Sequence, residues 1–164
     1  MPFWTPVDAG PVAIVRTGVG KANAAGAAAV LGLSKAGPAG VDLVISLGIA
    51  GALPGSPAAI GDVVLATSSV FADEGIETPG GYQPLSAMGF GPFPDGGDGI
   101  AGDEAALSLI ADRLAGEAFG AHRGVVATVS TCAGTDARAA AVAERTGAIA
   151  EAMEGAAVGL VAGR

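Results

Sequence analysis

The sequence has few cationic residues, a single cysteine and a single histidine. Eight Lys and Arg residues stand against sixteen Asp and Glu residues, which gives a net charge of −8 over 164 residues. This charge repels phosphate backbones and anionic membrane surfaces, so we expect neither nucleic acid nor a membrane as a partner. One cysteine cannot form an internal disulfide, and with one histidine it cannot build a structural zinc site. We therefore expect a cytoplasmic protein without a metal or a cofactor.

Long uninterrupted apolar runs are also missing. A membrane-spanning helix needs about 20 consecutive apolar residues, and charged residues such as Lys35, Asp42 and Asp62 interrupt the candidates. The first residues do not form the basic and apolar pattern of a secretory signal. Hydrophobic residues nevertheless make up 51% of the chain, which is enough for one core. We predict a single domain over residues 1–164.

Apolar strand patterns alternate with helical patterns along the chain. Strands are predicted at 11–17, 41–47, 61–71, 124–130 and 148–150, and helices at 21–34, 103–119, 135–146 and 156–162. A long irregular segment, 72–102, interrupts this order and is typical of a lid or a mobile region. The alternation predicts an α/β fold in three layers, with a central mixed, mainly parallel sheet between helices.

The run Glu151-Ala152-Met153-Glu154-Gly155 places a carboxylate where the last predicted strand gives way to a helix. Side chains at the carboxyl ends of such strands line the crevice where α/β sheets bind ligands. The Glu154 carboxylate could accept two hydrogen bonds from a vicinal diol such as that of ribose. The alternative is a solvated glutamate at a helix N-terminus, where the helix dipole favours negative charge.

Two glycine-rich turns follow predicted strands. The turn Gly18-Val19-Gly20 lacks the third glycine of a dinucleotide fingerprint, because Asn23 stands there, and Lys21 has no following Ser or Thr as a P-loop requires. A structural turn is the favoured interpretation at this position. The turn from Gly48 to Ala52 could either be structural or let a ligand approach the backbone closely. Both interpretations remain open.

Cysteine chemistry and histidine chemistry are both disfavoured. Cys132 follows the strand predicted at 124–130, but the only histidine, His122, lies at the other end of that strand. A nucleophilic thiol needs a neighbouring base, so we do not expect Cys132 to be a nucleophile. The carboxylates Asp73, Glu74 and Glu77 in the long segment could do acid-base chemistry, although a solvated loop face is the commoner explanation.

Four motifs, taken in order and spacing, resemble the purine nucleoside phosphorylase and nucleosidase superfamily. They are residues 18–25, the turn 48–52, Ile60-Gly61-Asp62-Val63-Val64, and 151–155. Within that superfamily the segments 72–79, 85–91 and 130–135 look most like the futalosine hydrolase family. The resemblance covers the chain from about Pro11 to its last residue. It implies an enzyme that hydrolyses the N-glycosidic bond of futalosine and releases hypoxanthine on a route to menaquinone.

The resemblance also implies roles for individual residues. Glu154 would bind the ribose hydroxyls, Met153 would pack against the sugar, and Thr131, Cys132 and Ala133 would lie against the purine. The residues implied to border the sugar and the attacking water are Gly48, Ile49, Ala50 and Gly51. Glu77 would line the side that holds the 5′ substituent. Because the 48–52 turn has no basic residue for a phosphate, water is the favoured nucleophile. Members of the superfamily usually form homodimers, so we expect a homodimer or a higher homo-oligomer.

The sequence departs from the superfamily pattern at both edges of the implied site. No Glu precedes Glu74, although the family begins with a strand that carries an acidic residue near the nucleophile. No Asp follows Asp136, although an Asp after the glutamate motif commonly assists the leaving base. We expect a fragment that lacks its first and last elements. The alternatives are a methylthioadenosine or S-adenosylhomocysteine nucleosidase and a non-catalytic nucleoside-binding remnant.

Overall fold

The computed structural model describes residues 2–34 and 40–163, so residues 1, 35–39 and 164 of the predicted domain lie outside the described ranges. The strands are β1 (Val7–Ala9), β2 (Val12–Ile14), β3 (Gly51–Ala52), β4 (Val63–Phe71), β5 (Gly75–Thr78), β6 (Gly81–Pro84), β7 (Gly99–Ala101), β8 (Ala121–Thr128) and β9 (Ala148–Ala152). The central sheet has five strands in the order β3-β9-β8-β4-β7. The helices are α1 (Lys21–Ser34), α2 (Glu104–Leu114), α3 (Asp136–Thr146) and α4 (Gly155–Ala162), with a short 3-10 helix at Ser86–Met88.

The three inner strands of the sheet, β4, β8 and β9, run parallel to each other. The two edge strands run antiparallel, β3 beside β9 and β7 beside β4. The predicted mixed sheet is therefore confirmed, with its parallel pairing concentrated in the centre. Parallel strands send their carboxyl ends to the same edge, which brings the residues after β4, β8 and β9 together.

Helices cover both faces of this sheet. On one face, α1 and α4 pack together, and the cluster around Ala24, Phe71 and Ala157 is buried between helices and strands. On the other face, Val142 of α3 packs against Ala127 and Val129 among other buried residues. Thr128, which lies between these two, points the opposite way, and its Oγ1 accepts a hydrogen bond from Ala156 N at 2.9 Å. This alternation along one strand produces the three layers.

The predicted ends of α3 are confirmed. The Thr135 side chain accepts a hydrogen bond from Arg138 N, and Gly147 adopts the left-handed conformation at φ 66°. A hydroxyl cap satisfies an N–H group that the first turn leaves free, and glycine reaches positive φ without the steric cost that a side chain brings. Within the described ranges, no helix is long and apolar enough to cross a membrane.

Three predicted elements differ from the structure, apart from the helix predicted at 103–119, which ends five residues early at Leu114. The strand predicted as buried at 11–17 is only Val12–Ile14, and it is largely exposed in a two-stranded sheet with β1. Residues 41–47 form no strand. Because β3 runs antiparallel to β9, the residues before Gly51 extend past Ala152, where the neighbouring chain turns into α4, and so they find no pairing partner there.

The third difference concerns the segment 72–102, which was predicted as irregular. It contains the β5–β6 hairpin, the 3-10 helix and the edge strand β7. The hairpin closes over 78–81, where the Thr78 hydroxyl donates a hydrogen bond to Gly81 O at 2.7 Å. The Asp98 carboxylate fastens the 3-10 helix by accepting hydrogen bonds from both the backbone N and the hydroxyl of Ser86. The sequence did not reveal these short elements, because the glycines and prolines of the segment interrupt the hydrophobic periodicity from which strands and helices are predicted.

Candidate active site

The carboxyl ends of β4, β8 and β9 form the edge where the candidate site lies. The segments that follow these strands are tied to each other and to the start of α1 by side-chain carboxylates, which accept hydrogen bonds and form ion pairs. The carboxylates come from Asp73, Glu74, Glu151 and Glu154. Such a convergence of polar groups at the ends of parallel strands is the usual position of a ligand site in an α/β sheet.

The Glu154 side chain is oriented by a backbone group that is distant in the sequence, and it does not cap the helix that follows it. Its Oε1 accepts a hydrogen bond from Gly20 N at 2.8 Å, and its Oε2 accepts one from Met153 N at 3.0 Å. Glu154 is the residue before α4, but its side chain makes no capping hydrogen bond to that helix. An ionised carboxylate has about four lone-pair sites, so two backbone donors fix its orientation and leave acceptor capacity for a ligand.

Glycine is needed on the partner side of this contact. Gly20 lies directly before α1 at φ 93°, a conformation that residues with a side chain rarely adopt. The Gly18-Val19-Gly20 turn was interpreted as structural, and it does reverse the chain into α1. The same turn also aims a backbone N–H at Glu154, which sequence reasoning missed because the two residues are 134 positions apart.

Lys21 and Asp73 form a second link at this edge. Lys21 Nζ forms ion pairs with Asp73 Oδ1 and, at 3.2 Å, with Glu74 Oε1. Asp73 Oδ2 also accepts a hydrogen bond from Ser130 N at 2.6 Å. Partial burial raises the pKa of Asp73, but the hydrogen bonds from Lys21 and Ser130 outweigh it and hold the pKa below its usual value. Asp73 therefore stays ionised and connects α1, the end of β4 and the end of β8.

Glu151 is the functional candidate that the sequence did not single out. It is only 6% exposed, and its Oε1 accepts a hydrogen bond from Ala133 N at 2.7 Å. Gly51 lies beside it in the strand pairing, so close that a Cβ at Gly51 would stand 3.6 Å from Glu151 Cγ. A glutamate at the end of an otherwise apolar strand was the available sequence signal, but Glu154 three residues later drew the interpretation.

Cys132 lies in the same neighbourhood with its thiol protonated. Two causes raise the pKa of the Cys132 thiol. The larger is partial desolvation, and the smaller is the negative charge of Glu151 and Glu154. A raised pKa reduces the thiolate population, which is the nucleophilic form. The raised pKa leaves Cys132 little thiolate for nucleophilic chemistry, and its lack of a nucleophilic role stays a prediction.

The structure brings some of the predicted site residues together and leaves others apart. Ala133 donates a hydrogen bond to Glu151, Gly51 pairs with it across the sheet, and Cys132 precedes Ala133 in the chain. Met153 and Glu154 follow Glu151 by two and three positions, and Met153 N donates a hydrogen bond to Glu154. Thr131 is exposed, and its carbonyl accepts a hydrogen bond from Arg138 at 3.2 Å. Gly48, Ile49 and Ala50 are exposed in the unpaired stretch before β3, and Ile49 is 95% exposed.

Glu77 lies elsewhere, on the β5–β6 hairpin. It is exposed and lines a cleft with Tyr82, Glu144 and Arg145. The Arg145 guanidinium stacks 4.7 Å from the centre of the Tyr82 ring, and the Tyr82 hydroxyl donates a hydrogen bond to Glu74 O at 2.7 Å. This hydrogen bond connects the cleft to the carboxylate cluster through the backbone of Glu74.

The histidine lies at the opposite edge of the sheet, as the sequence predicts. His122 is near the start of β8, and its Nε2 is 2.9 Å from Asp62 Oδ2. Backbone hydrogen bonds from Ala59 and Gly120, together with the one from His122, lower the pKa of Asp62 to about 2. This pair fastens the amino ends of the strands and takes no part in the candidate site.

Fold and site together define an α/β protein of three layers with an acidic candidate site at the carboxyl ends of its parallel strands. The family model described as "Phosphorylase superfamily" matches residues 4–164. The chain belongs to the phosphorylase superfamily, as the ordered motifs predicted, and the expected fold class is confirmed.

Two curated relatives carry the name futalosine hydrolase. The protein from Streptomyces coelicolor is 43% identical over 122 residues, which cover 70% of this chain and 44% of the relative. The protein from Acidothermus cellulolyticus is 40% identical over 123 residues, which cover 74% of this chain and 48% of the relative. The chain therefore spans about half the length of the curated relatives it matches.

A solved structure shares the fold. The 5'-methylthioadenosine/S-adenosyl homocysteine nucleosidase of Campylobacter jejuni superimposes with a TM-score of 0.73 and 26% identity. The match covers 91% of this chain and 60% of that protein. Both enzyme names that the sequence resemblance raised thus occur among the proteins similar to this chain.

Proposed function

We propose that this chain carries the nucleoside site of a nucleosidase that hydrolyses the N-glycosidic bond of futalosine and releases hypoxanthine in menaquinone biosynthesis. The observation that carries the proposal is the Glu154 carboxylate, held by the backbone of Gly20 and Met153 at the carboxyl ends of the parallel strands. The identity of 40–43% to two proteins named futalosine hydrolase supports this substrate.

Hydrolysis of an N-glycosidic bond requires that the enzyme hold the ribose in a fixed orientation. Cleavage of an N-glycosidic bond passes through an oxocarbenium-like state, in which positive charge develops on the ribose while the base departs. Glu154 supplies a negative charge and hydrogen-bond acceptors for the 2′- and 3′-hydroxyls, and binding of both hydroxyls orients the ring. Met153 packs against the sugar in this proposal.

The remaining residues take the roles that the resemblance implies. Thr131, Cys132 and Ala133 lie against the purine, and Glu77 lines the side of the 5′ substituent. The turn from Gly48 to Gly51 borders the sugar and the attacking water. Gly51 next to Glu151 favours this arrangement, because the turn then reaches the carboxylate cluster.

A second substrate class follows from the structural likeness. The Campylobacter jejuni neighbour is a 5'-methylthioadenosine/S-adenosyl homocysteine nucleosidase, so an adenine-releasing nucleosidase is the alternative activity. A nucleoside-binding protein without turnover is the non-catalytic alternative. The three differ in the free base that they release, which makes one chromatographic assay decisive.

The test is to incubate the purified chain with futalosine and, separately, with methylthioadenosine, without phosphate, and to quantify free hypoxanthine and adenine. Hypoxanthine release from futalosine alone supports the proposal. Adenine release alone supports the alternative substrate. No free base from either nucleoside, by a chain that circular dichroism shows to be folded, contradicts a nucleosidase activity of this chain and leaves the binding protein.

Assembly and location belong to the same proposal. We propose a homodimer or a higher homo-oligomer, because apolar side chains such as Ile45, Leu47 and Ile49 are largely exposed and burial in an interface would stabilise them. A cytoplasmic location rests on the composition, since a single cysteine gives the described fold no internal disulfide.

A further inference from the structure

The Glu151 carboxylate has one oxygen in use and one without a partner. Oε1 accepts the hydrogen bond from Ala133 N at 2.7 Å. Oε2 is buried and has no hydrogen-bond partner, and it is the one such side-chain atom among residues 2–33 and 40–163. Every other buried side-chain oxygen or nitrogen in those ranges is paired, so this atom needs an explanation.

A purely structural role does not account for a glutamate here. Leaving a buried acceptor unsatisfied is unfavourable, and more so for a charged group. The hydrogen bond from Ala133 N needs only one oxygen, so it does not account for the second buried carboxylate oxygen. The second carboxylate oxygen therefore indicates a donor that arrives with a ligand.

The position of Glu151 tells which part of a nucleoside that donor belongs to. Glu151 binds the backbone of Ala133, which lies in the turn after β8 that is expected to hold the base. Glu154, the candidate ribose carboxylate, follows three residues later and is oriented separately by Gly20 and Met153. Desolvation, and then the negative charges of both carboxylates, raise the pKa of the Cys132 thiol, which indicates that this thiol lies near both of them.

We propose that Oε2 of Glu151 accepts a hydrogen bond from the N1–H of a 6-oxopurine and thereby selects this class of base over a 6-aminopurine. This inference rests on the proposed function and sharpens it. A 6-oxopurine carries a proton on N1, whereas a 6-aminopurine presents a lone pair there. An ionised carboxylate only accepts hydrogen bonds, so it attracts the first edge and repels the second.

The base reaches this oxygen by a small movement. The last torsion of a glutamate side chain has a broad energy profile, so the carboxylate plane turns at little cost. The turn that donates to Oε1 is exposed at Thr131, Cys132 and Gly134, so a shift of this turn would move surface residues. Binding then replaces an unsatisfied oxygen by a charge-assisted hydrogen bond, which is shorter and stronger than a neutral one.

The test compares three nucleosides by isothermal titration calorimetry on the folded chain: inosine, 1-methylinosine and adenosine. Inosine and 1-methylinosine share the 6-oxo group, but only inosine carries the N1 proton. We expect inosine to bind at least about tenfold more tightly than either of the others, because a buried polar group rejects analogues that leave it unpaired. Equal affinity for inosine and 1-methylinosine would overturn the inference without any mutant.

The variant Glu151→Gln adds the complementary test. Its amide oxygen still accepts from Ala133 N, and its amide group can donate to the lone pair of adenosine N1. We expect the preference for inosine over adenosine to shrink at least about tenfold or to reverse. The matched control is Glu117→Gln, an exposed glutamate between α2 and β8, which should keep the wild-type preference.

The outcomes separate this inference from the proposed function. If the wild-type chain binds inosine and adenosine equally, or if Glu151→Gln folds and keeps the preference, the base-selection role of Glu151 is wrong while nucleoside binding stands. If the wild-type chain binds none of the three nucleosides, the proposed function fails, and the role of Glu151 fails with it.

Discussion

Two apolar stretches of this chain have opposite fates. Ala127 and Val129, at the end of β8, are fully buried between β4, β9 and the helices. Leu47 and Ile49, in a run of similar apolarity, are 94% and 95% exposed. The two stretches differ in the strands that lie beside them. β8 has a parallel strand on each side, whereas residues 41–50 extend past the end of β9. Hydrophobicity alone therefore does not bury a strand, because its backbone also needs a hydrogen-bonded neighbour on the sheet.

The largest effect, a loss of nucleoside affinity, is expected from a substitution of Glu154, which lies at the carboxyl ends of the buried strands. Glu154→Gln keeps the side-chain size but removes the negative charge and one acceptor oxygen. Each hydrogen bond to a charged group contributes about 1.5–3 kcal/mol, so we expect ribose-dependent affinity to fall about 100-fold. The measurement is the ratio of the dissociation constants of inosine and 2′,3′-dideoxyinosine, with Glu117→Gln as the control. An unchanged ratio in Glu154→Gln would remove the ribose role.

The stability contrast between the two regions can be measured by two truncations. Val142→Ala cuts a side chain that is 0% exposed beneath α3, and we expect it to lower the free energy of unfolding by about 2 kcal/mol. Leu47→Ala cuts a side chain that is 94% exposed, and we expect a change within about 0.5 kcal/mol. Urea unfolding of both variants tests this, and similar losses in the two would show that the 41–50 run is packed.

The exposed run should matter for self-association. Leu47→Lys places a charge on it and should weaken association of the chain roughly tenfold, since burial of one leucine contributes about 1.5–3 kcal/mol. Leu33→Lys is the control, because Leu33 of α1 is also an exposed leucine, at 78%. Sedimentation over a range of concentrations gives the association constants. If both variants associate like the wild type, the 41–50 run does not lie in the interface.

A smaller effect, on the free energy of unfolding, is expected at Asp73, which connects α1 to the ends of β4 and β8. Asp73→Asn removes the ion pair with Lys21 and should lower the free energy of unfolding by about 1 kcal/mol at pH 7. The pKa of Asp73 is lowered in the folded state, so its contribution is present above the usual value of 3.8 and is lost as the pH falls below it. Urea unfolding at pH 7 and pH 3 should show the difference shrinking. Asp112→Asn, on the exposed face of α2, should change neither value, and a difference for Asp73→Asn that grows at pH 3 would contradict the assignment.

Sequence patterns predicted the elements that are stabilised by interactions between residues close together in the chain. The helix Lys21–Ser34, the Thr135 cap and the left-handed Gly147 all follow from chemistry within a few residues, and the structure confirms them. Strands were also predicted at 61–71 and 124–130, and the structure has β4 and β8 there. The near-continuous apolar run at 41–47 was predicted as a strand covered on both faces and did not form one, because its pairing depends on where β9 ends, about 100 positions later in the chain.

The candidate site divides in the same way. The motif around Glu154 could be recognised from the sequence, because a strand end followed by a small-residue helix is a local pattern. The sequence signal at Glu151, a glutamate at the end of an apolar strand, was the weaker one, because its significance depends on burial and on the unpaired Oε2, and both are properties of the folded chain. The tie of Lys21 to Asp73 was hidden for the same reason, since 52 positions separate them.

The sequence by itself determined the helices, their caps, the acidic charge and the order of the motifs that place the chain in its superfamily. These depend on side-chain chemistry and on hydrogen bonds between near neighbours in the chain. Only the tertiary structure decided which apolar run became a buried strand and which carboxylate oxygen remained without a partner. Both outcomes require segments that are distant in the sequence to meet at one edge of the sheet, and no local pattern encodes that meeting.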